Sequence, residues 1–482
     1  MHEPPSVIPG PFGSLYLKNY KAFGPSGQSL ALSRINLLFG PNSSGKSSVF
    51  KAIELAVASF FGKPLVAYAY STTVHKGKSG EQIVIGLSFR HPHRTIESTP
   101  LLYFHFSERP EDRIGLDTVA VVLPSQMVLN LKPSAAGLLL DECNLSLAAL
   151  RQTIAPQYRD LSDEVLDGYL TVFKHSVAVS QCPLDSLFPG SQFLEQSAAL
   201  PHEVRNALEA DLAQGLHHAR DNLHHLENNL VHLPPIRRIP SRSELKMLSQ
   251  SSTDFLEDVE TRTWEVLLHA PSNIFLKETN FWMGEHGLRL GYEILAKNGA
   301  TLPDANADEC MNNAPCVYLV VRDTTDPLMQ SVELDLTDVG AGISQVIPVI
   351  GTACVHNELW ILIEQPELHL HPRVQCQLAD LFIAKCKDHL SMGNFNSRNV
   401  FFIETHSEHL VLRMLRRVRE TSTGVIKDDS PFGLKPEDLS VFCFESNKEV
   451  GAQIHRMEIT EDGDFNQAWP NGFFPERLRE LR

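Results

Sequence analysis

No C-x-x-C pair occurs among the eight cysteines (Cys143, Cys182, Cys310, Cys316, Cys354, Cys376, Cys386, Cys443), so no zinc ribbon or thioredoxin-type motif is written here. Scattered in this way, they are expected to be buried thiols in a reducing compartment. No apolar run approaches the roughly 20 residues of a membrane helix; Cys316 to Val321, among the longest, falls far short. The opening MHEPPSVIPGPFG lacks the basic and apolar regions of a signal peptide. The expectation is a cytoplasmic protein with no membrane partner. Basic charge is also short, 42 Lys and Arg against 58 Asp and Glu for a net −16, which excludes a broadly basic coat for nucleic acid. A local groove stays open at Arg237, Arg238 and Arg242, or at Arg413, Arg416, Arg417 and Arg419. The second cluster reads equally well as a solvated helix face. No repeat or low-complexity tract is present.

What the chain does have is a complete phosphate-binding loop, Gly40-Pro41-Asn42-Ser43-Ser44-Gly45-Lys46-Ser47. The apolar run Ile35 to Phe39 feeds it as a buried strand. From Ser48 to Phe61 a helix leaves it, with Val49, Phe50, Ile53, Val57 and Phe60 on one face. Glycines let successive N–H groups curl round a phosphate, and the helix start adds partial positive charge. Lys46 would neutralise the β- and γ-phosphates and Ser47 would hold Mg²⁺. The chain is expected to bind a nucleoside triphosphate.

At 482 residues there is room for two or three folding units. Residues 14 to 39 read as two strands joined by a turn at Gly24 to Gly27, and Gln82–Arg90 with Leu101–Phe106 as a side sheet. From about 110 to 245 the pattern turns to helices broken by Pro and Gly. The clearest covers Glu203 to Val231, with Leu212, Leu216, Ala219, Leu223, Leu226 and Leu230 in an a/d seam that Gly215 weakens. It suits a short helical hairpin or a dimer arm. His217, Asp221, His224 and His225 near one face could bind a metal, though a solvated face accounts for them more simply. Leu233-Pro234-Pro235-Ile236-Arg237-Arg238-Ile239-Pro240 then breaks the helix. The last third is α/β, with strands at Leu359–Ile363 and Val400–Ile403. Expected divisions are 1–110 (lobe with the phosphate loop), 111–330 (mostly helical insertion with return strands), 331–425 (second lobe) and 426–482 (small C-terminal domain).

A triphosphate site needs a second acid for Mg²⁺ at the end of a buried strand. Glu364, closing Leu359 to Ile363, is that Walker-B candidate. Val400 to Ile403 ends in Glu404-Thr405-His406-Ser407, and His406 at a neighbouring strand tip could reach a γ-phosphate. Gly340-Ala341-Gly342-Ile343-Ser344-Gln345, before the Walker-B strand, forms another N–H-rich anion cradle at a helix start. Pro348, about one turn further on, is compatible with that start.

The ordered set GPNSSGKS, VGAGISQ, ILIEQPELHLHP and FIETHSEHL resembles ATPases of the ABC/SMC class. More closely, it is similar to AAA-domain proteins of the overcoming-lysogenization-defect (OLD) type found in bacterial anti-phage loci. The match covers about 14–60 and 330–415. The closing EDGDFNQAWPNGFFPERLREL resembles a small C-terminal domain of one branch. The resemblance implies an α/β fold, a P-loop NTPase head of ABC/SMC type with an inserted helical subdomain and short helical hairpin. It further implies ATP with Mg²⁺ sandwiched in a homodimer or higher homo-oligomer. There the residues from Gly40 to Ser48 of one copy face Gly340, Gly342, Ser344 and Gln345 of the other, and His406 serves as switch histidine. A Q-loop glutamine is not singled out; Gln82, Gln126, Gln152 and Gln157 are all open.

One position departs from that class. After the Walker-B acid most ABC ATPases carry a glutamate that activates water; here it is Gln365, which can orient water but not accept its proton. Either Glu367 takes the base role, or hydrolysis is slow and the ATP-bound dimer is long-lived, the reading favoured here. Three functions compete: an ATP-driven switch controlling a separate effector such as a nuclease or toxin encoded nearby, a self-contained nuclease, and an SMC-like ATPase that grips DNA. The nuclease would need an Asp-x-Asp pair such as Asp462-Gly463-Asp464, which reads better as a hairpin turn.

Overall fold

In the computed structural model of the protein, the residues described are 10–63, 65, 68–90, 99–134, 137–180, 197–241, 244, 264, 267–268, 274–299, 316–325, 332–355, 358–387, 398–467 and 469. They gather into two compact units. One comprises Met1–Ser33, Gly40–Asn228 and Phe444–Arg456; the other comprises Arg34–Phe39, Asn229–Cys443 and Met457–Arg482.

The pair of strands expected over 14–39 is in fact three: β1 (Gly13–Lys18), β2 (Gln28–Leu32) and β3 (Ile35–Phe39), because Ser33-Arg34 interrupts the second run. In the first unit, α1 (Lys46–Phe60) follows the phosphate loop and buries the expected face of Val49, Phe50, Ile53, Val57 and Phe60. After the short α2 (Tyr70–Thr73), strands β4 (Ile83–Phe89), β5 (Leu101–Arg109), β6 (Arg113–Val122), β7 (Val128–Ser134) and β8 (Gly137–Asn144) follow. With β1 they form an antiparallel sheet in the order β1-β4-β5-β6-β7-β8. The switch to helices expected at about 110 is therefore corrected. The buried run Val119 to Val121, then the alternate burial of Leu129 and Leu131, marks strands, and β6 to β8 extend the side sheet. Helices begin only with α3 (Leu147–Thr153) and α4 (Asp163–Ser180).

The long helix α5 spans His202–Asn229 and stops two residues before the expected end. Its seam does not project as a dimer arm. Leu212, Ala219, Leu223 and Leu226 are buried, and the flank is tied to β4 and to the turn between β6 and β7 of the same unit. Asn222 donates to the Phe89 carbonyl (3.4 Å) and Asp211 accepts from Ser125 Oγ (2.5 Å). Gly215 is where Leu123 seats: a Cβ there would lie 2.3 Å from a Leu123 methyl carbon. Alanine normally stabilises a helix over glycine by about 1 kcal/mol, but overpacking costs about 1–3 kcal/mol. Gly215→Ala is thus expected to lower the thermal midpoint; a rise would show that Leu123 moves aside at no cost. His217 pairs with Asp221 (3.1 Å) and His224 with Glu227 (3.6 Å). Among the described residues no group of three or more His, Cys, Asp or Glu could hold a metal ion.

In the second unit, Leu230 and Val231 belong to β9 (Leu230–Leu233), not to the helix. Then come α6 (Ile274–Met283), β10 (Tyr292–Gly299), β11 (Cys316–Asp323), β12 (Glu333–Leu334), α7 (Ala341–Val355), β13 (Trp360–Glu364), α8 (Pro372–Lys385), β14 (Val400–Glu404), α9 (Glu408–Ser422), β15 (Leu439–Glu445) and β16 (Gln453–Met457). Strands β15, β3, β14, β13 and β9 lie side by side, all parallel. Strands β10 to β12 form a separate antiparallel sheet. Being covered on both faces, the parallel strands read as near-continuous apolar runs; every residue of β3 and of β14 is buried. Pro348 sits about two turns into α7 rather than one, where it supplies no N–H to the Ser344 carbonyl.

Cys143, Cys354, Cys386 and Cys443 are buried and Cys376 half-buried, all as free thiols. Burial pushes Cys143, Cys354 and Cys386 up to about 12. Cys182 and Cys310 lie outside the described residues, as do Arg242 and the chain from 470 onward with most of the closing element. Asp462-Gly463-Asp464 is the expected turn, with Gly463 at φ +66° and Ile459 bridged to Phe465. Among the described residues no helix is long and apolar enough to cross a membrane. The fold class is α/β, as expected, with the phosphate loop set between a buried strand and a helix and a helical stretch, α3 to α5, inserted further along the sequence.

Candidate functional site

In the first unit, the phosphate loop turns on two glycines in left-handed or fully glycine-only backbone, Gly40 (φ +148°) and Gly45 (φ +106°). A Cβ on Gly40 would lie 2.5 Å from the Phe444 carbonyl oxygen. No other residue type fits there. Pro41, Asn42 and Ser43 are exposed at the tip, while Gly45, Ser47 and Ser48 are half-buried. Lys46 is 3% exposed, and its Nζ donates to the Gly40 (2.9 Å) and Pro41 (2.8 Å) carbonyls. Ser44 Oγ is buried and has no hydrogen-bond partner among the described residues. Such an orphaned hydroxyl, inside a loop that no side chain can fill, fits a bound phosphate. Ser47 adds a hydroxyl at the helix start, a hard oxygen donor suited to Mg²⁺.

The second unit carries the other candidates along one edge of its parallel sheet. Glu364 ends β13 and Glu404 ends β14, opposite one another in register. Glu364 is half-buried, and its Oε1 lies 2.9 Å from His232 Nε2 on the adjacent β9. Gln365 continues the ladder by donating its N–H to the Glu404 carbonyl (2.7 Å), and then turns left-handed (φ +46°). His369 does the same (φ +60°). Non-glycine residues in that region cost of order 1–3 kcal/mol and concentrate at functional turns.

Between those two lies Glu367, 9% exposed, accepting the His406 N–H at 2.7 Å. Burial raises its carboxyl above the ordinary value, and the His406 hydrogen bond opposes the shift. His406 itself is exposed just ahead of α9, which Ser407 caps by accepting the Leu410 N–H (3.1 Å). Glu367 thus acts on the His406 backbone and leaves the imidazole outward.

The glycine-bearing helix start divides in role. Gly340 and Ala341 are exposed, and a Cβ on Gly340 would meet nothing within 4 Å. Gly342 is glycine for packing: its Cβ would stand 2.5 Å from the His369 carbonyl oxygen. Ser344 is 8% exposed and donates its hydroxyl to the Ala341 carbonyl (3.0 Å). Gln345, expected to face nucleotide, holds the Arg237 backbone in this structure. Its Oε1 accepts the Arg237 N–H (2.7 Å) and its Nε2 donates to the Arg237 carbonyl (3.1 Å), so both ends of the amide are engaged within the chain.

Most of the basic residues named as a possible groove have partners within the chain. Arg237 is 2% exposed, and Arg238 pairs with Glu244. In the second cluster Arg417 holds Asp380 through two hydrogen bonds (2.7 and 2.9 Å) and Glu420 through a third. Arg413 reaches Asp380 (3.6 Å) and Arg416 reaches Glu420 (2.6 Å). These guanidiniums mainly bind α9 to α8. Sequence reasoning missed His232 and the buried state of Arg237. The signals were a lone polar residue in the apolar LVHL run, and an arginine boxed between prolines.

Residues 224–411 match the AAA ATPase domain family and residues 14–113 the AAA domain family. No curated protein matches. Solved structures similar to the chain include an SMC head bound to the C-winged helix domain of ScpA, at 10% identity over 94% of this chain and 99% of that one, TM-score 0.43. An SMC head with an extended coiled coil bound to the C-terminal domain of ScpA, from Pyrococcus furiosus, is 9% identical over 98% of each chain, TM-score 0.39. The SMC head domain from Thermotoga maritima is 10% identical over 93% and 99%, TM-score 0.37.

Proposed function

We propose that this ABC/SMC-like ATPase is a slow, nucleotide-dependent dimeric switch that controls a separate effector, a nuclease or toxin, in bacterial anti-phage defence. The observation that carries the switch reading is the condition of the two candidate bases. Gln365 has no proton-accepting carboxylate, and Glu367 is buried on the His406 N–H. General-base help is worth about 10²–10⁴ in rate, so without it the ATP-bound state persists.

In this reading Gly40 to Ser48 wrap the phosphates, with Lys46 exchanging its two carbonyl partners for β- and γ-oxygens. Ser47 and Glu364 are each suited to take a Mg²⁺ ion, which would neutralise charge on those oxygens. The exposed Gly340 and Ala341 at the start of α7 offer N–H groups to the nucleotide of a second copy. Ser344 joins them by turning its hydroxyl from Ala341, and His406 reads the γ-phosphate. The effector and the defence setting rest on the resemblance of the motif set, and cytoplasmic placement on the reduced thiols.

Light scattering on the purified protein tests the reading. Mass is expected to double with ATP and Mg²⁺ and to return as ATP is consumed; an unchanged mass with nucleotide bound would overturn it. The alternative, an SMC-like ATPase of DNA repair or chromosome maintenance, would show instead as ATP-dependent, salt-sensitive binding to duplex DNA.

A further inference from the structure

Arg237 is among the largest fully buried side chains of the protein. Burying a charge costs several kcal/mol unless it is well bonded, so where its hydrogen bonds go is the question. They go to two elements of the second unit. Nη2 donates to the Glu364 carbonyl (2.6 Å) at the last residue of β13, and Nη1 donates to the Gln345 carbonyl (3.2 Å) in the second turn of α7. The Arg237 backbone closes the arrangement by exchanging two hydrogen bonds with the Gln345 amide. Prolines 234, 235 and 240 keep this stretch out of the sheet: each fixes φ and withholds an N–H.

The same helix start touches the acidic turn at a second place, since Gly342 packs on the His369 carbonyl with no room for a Cβ. The charge of Arg237 also favours the ionised form of Glu367 inside that turn. A planar fork suits the task, because one guanidinium can satisfy carbonyls on two elements, whereas an ammonium is a single point.

We propose that Arg237 is a positioning residue that couples the Glu364 end of β13 to the first turns of α7. The acid that would meet Mg²⁺ and the helix face offered to a second nucleotide then move as one body. The inference rests on the dimeric-switch reading for its purpose, while the coupling itself stands on these hydrogen bonds.

The test uses the full chain with Arg237→Lys, Gln345→Ala and the double variant. Fluorescent-nucleotide affinity, kcat, KM and ATP-dependent mass are measured beside thermal midpoints. Coupling between sites is typically worth about 5–150-fold. Arg237→Lys is therefore expected to lower kcat by about 10-fold or more at nearly unchanged KM and nucleotide affinity. The ATP-driven dimer should weaken in parallel. Gln345→Ala should do the same by cutting the backbone tie, and the double variant should be no worse than the stronger single one.

Folded Arg237→Lys with wild-type kcat overturns the inference; should that variant not fold, wild-type kcat in Gln345→Ala overturns it equally. Additive losses in the double variant do so too. Wild-type protein that turns over ATP without dimerising sinks the dimer reading alone, since the kcat comparison still decides on Arg237.

Discussion

Lys46→Ala is expected to abolish nucleotide binding at concentrations that saturate the wild type, a loss of at least about 100-fold. Hydrogen bonds to charged groups are worth about 1.5–3 kcal/mol each, and Lys46 would make two or more to the β- and γ-phosphates. Its present partners indicate how little else must change. With Nζ on the Gly40 and Pro41 carbonyls, the ammonium already lies within the loop, where phosphate oxygens would take the place of these neutral acceptors. Thermal shift measures the effect cleanly. A ligand at 100 times its dissociation constant stabilises by about 2.7 kcal/mol, so the wild-type midpoint should rise with ATP while that of the variant stays fixed. Lys46→Arg should not restore the shift, because a planar fork does not replace a compact ammonium in so closed a loop. An unaltered shift in Lys46→Ala would mean that ATP binds elsewhere.

The second large effect concerns Gln365. If slow turnover reflects a missing proton acceptor, Gln365→Glu should raise kcat by up to about 10²–10⁴. The change leaves the backbone cost as it was, since glutamate is no easier to hold at φ +46° than glutamine. Glu367→Gln is the control. Its amide oxygen can still accept the His406 N–H, so turnover should stay within about threefold of wild type. Steady-state phosphate release decides. Collapse of Glu367→Gln together with an indifferent Gln365→Glu would make Glu367 the base. ATP-dependent mass should follow turnover inversely, with Gln365→Glu spending less time as a dimer.

Elements with strong local signals were legible in the sequence. The loop from Gly40 to Ser47 needs particular residue types at fixed spacing, and α1, β4, β5, β13 and β14 carry clear apolar patterns. The strands from Arg113 to Asn144 were not legible, because turns rich in Pro, Ser and Gly punctuate helices and hairpins alike. The seam of α5 was visible but its partner was not: the same spacing serves a coiled coil or a sheet of the same chain, and Leu123 against Gly215 decides it only in three dimensions. The pairing of Gln345 with Arg237 was hidden for a related reason. A side chain beside a glycine pair looks free for ligand until a distant arginine is seen to occupy it. His232 lies 132 residues from Glu364, beyond the reach of any local pattern.

The strand that delivers the phosphate loop has late-made neighbours. On one side β3 pairs with β14 and on the other with β15; the Asn36 amide reaches the Phe401 carbonyl across 365 residues. Synthesis proceeds at about 5–20 residues per second, so a ribosome needs roughly 20–70 s to supply that neighbour. For that interval Ile35 to Phe39 is an apolar segment with open edges, the kind that invites aggregation. Nascent fragments that stop before residue 400 should therefore neither grip ATP nor stay clear of chaperones, and the chain becomes competent only once Val400–Glu404 has been made.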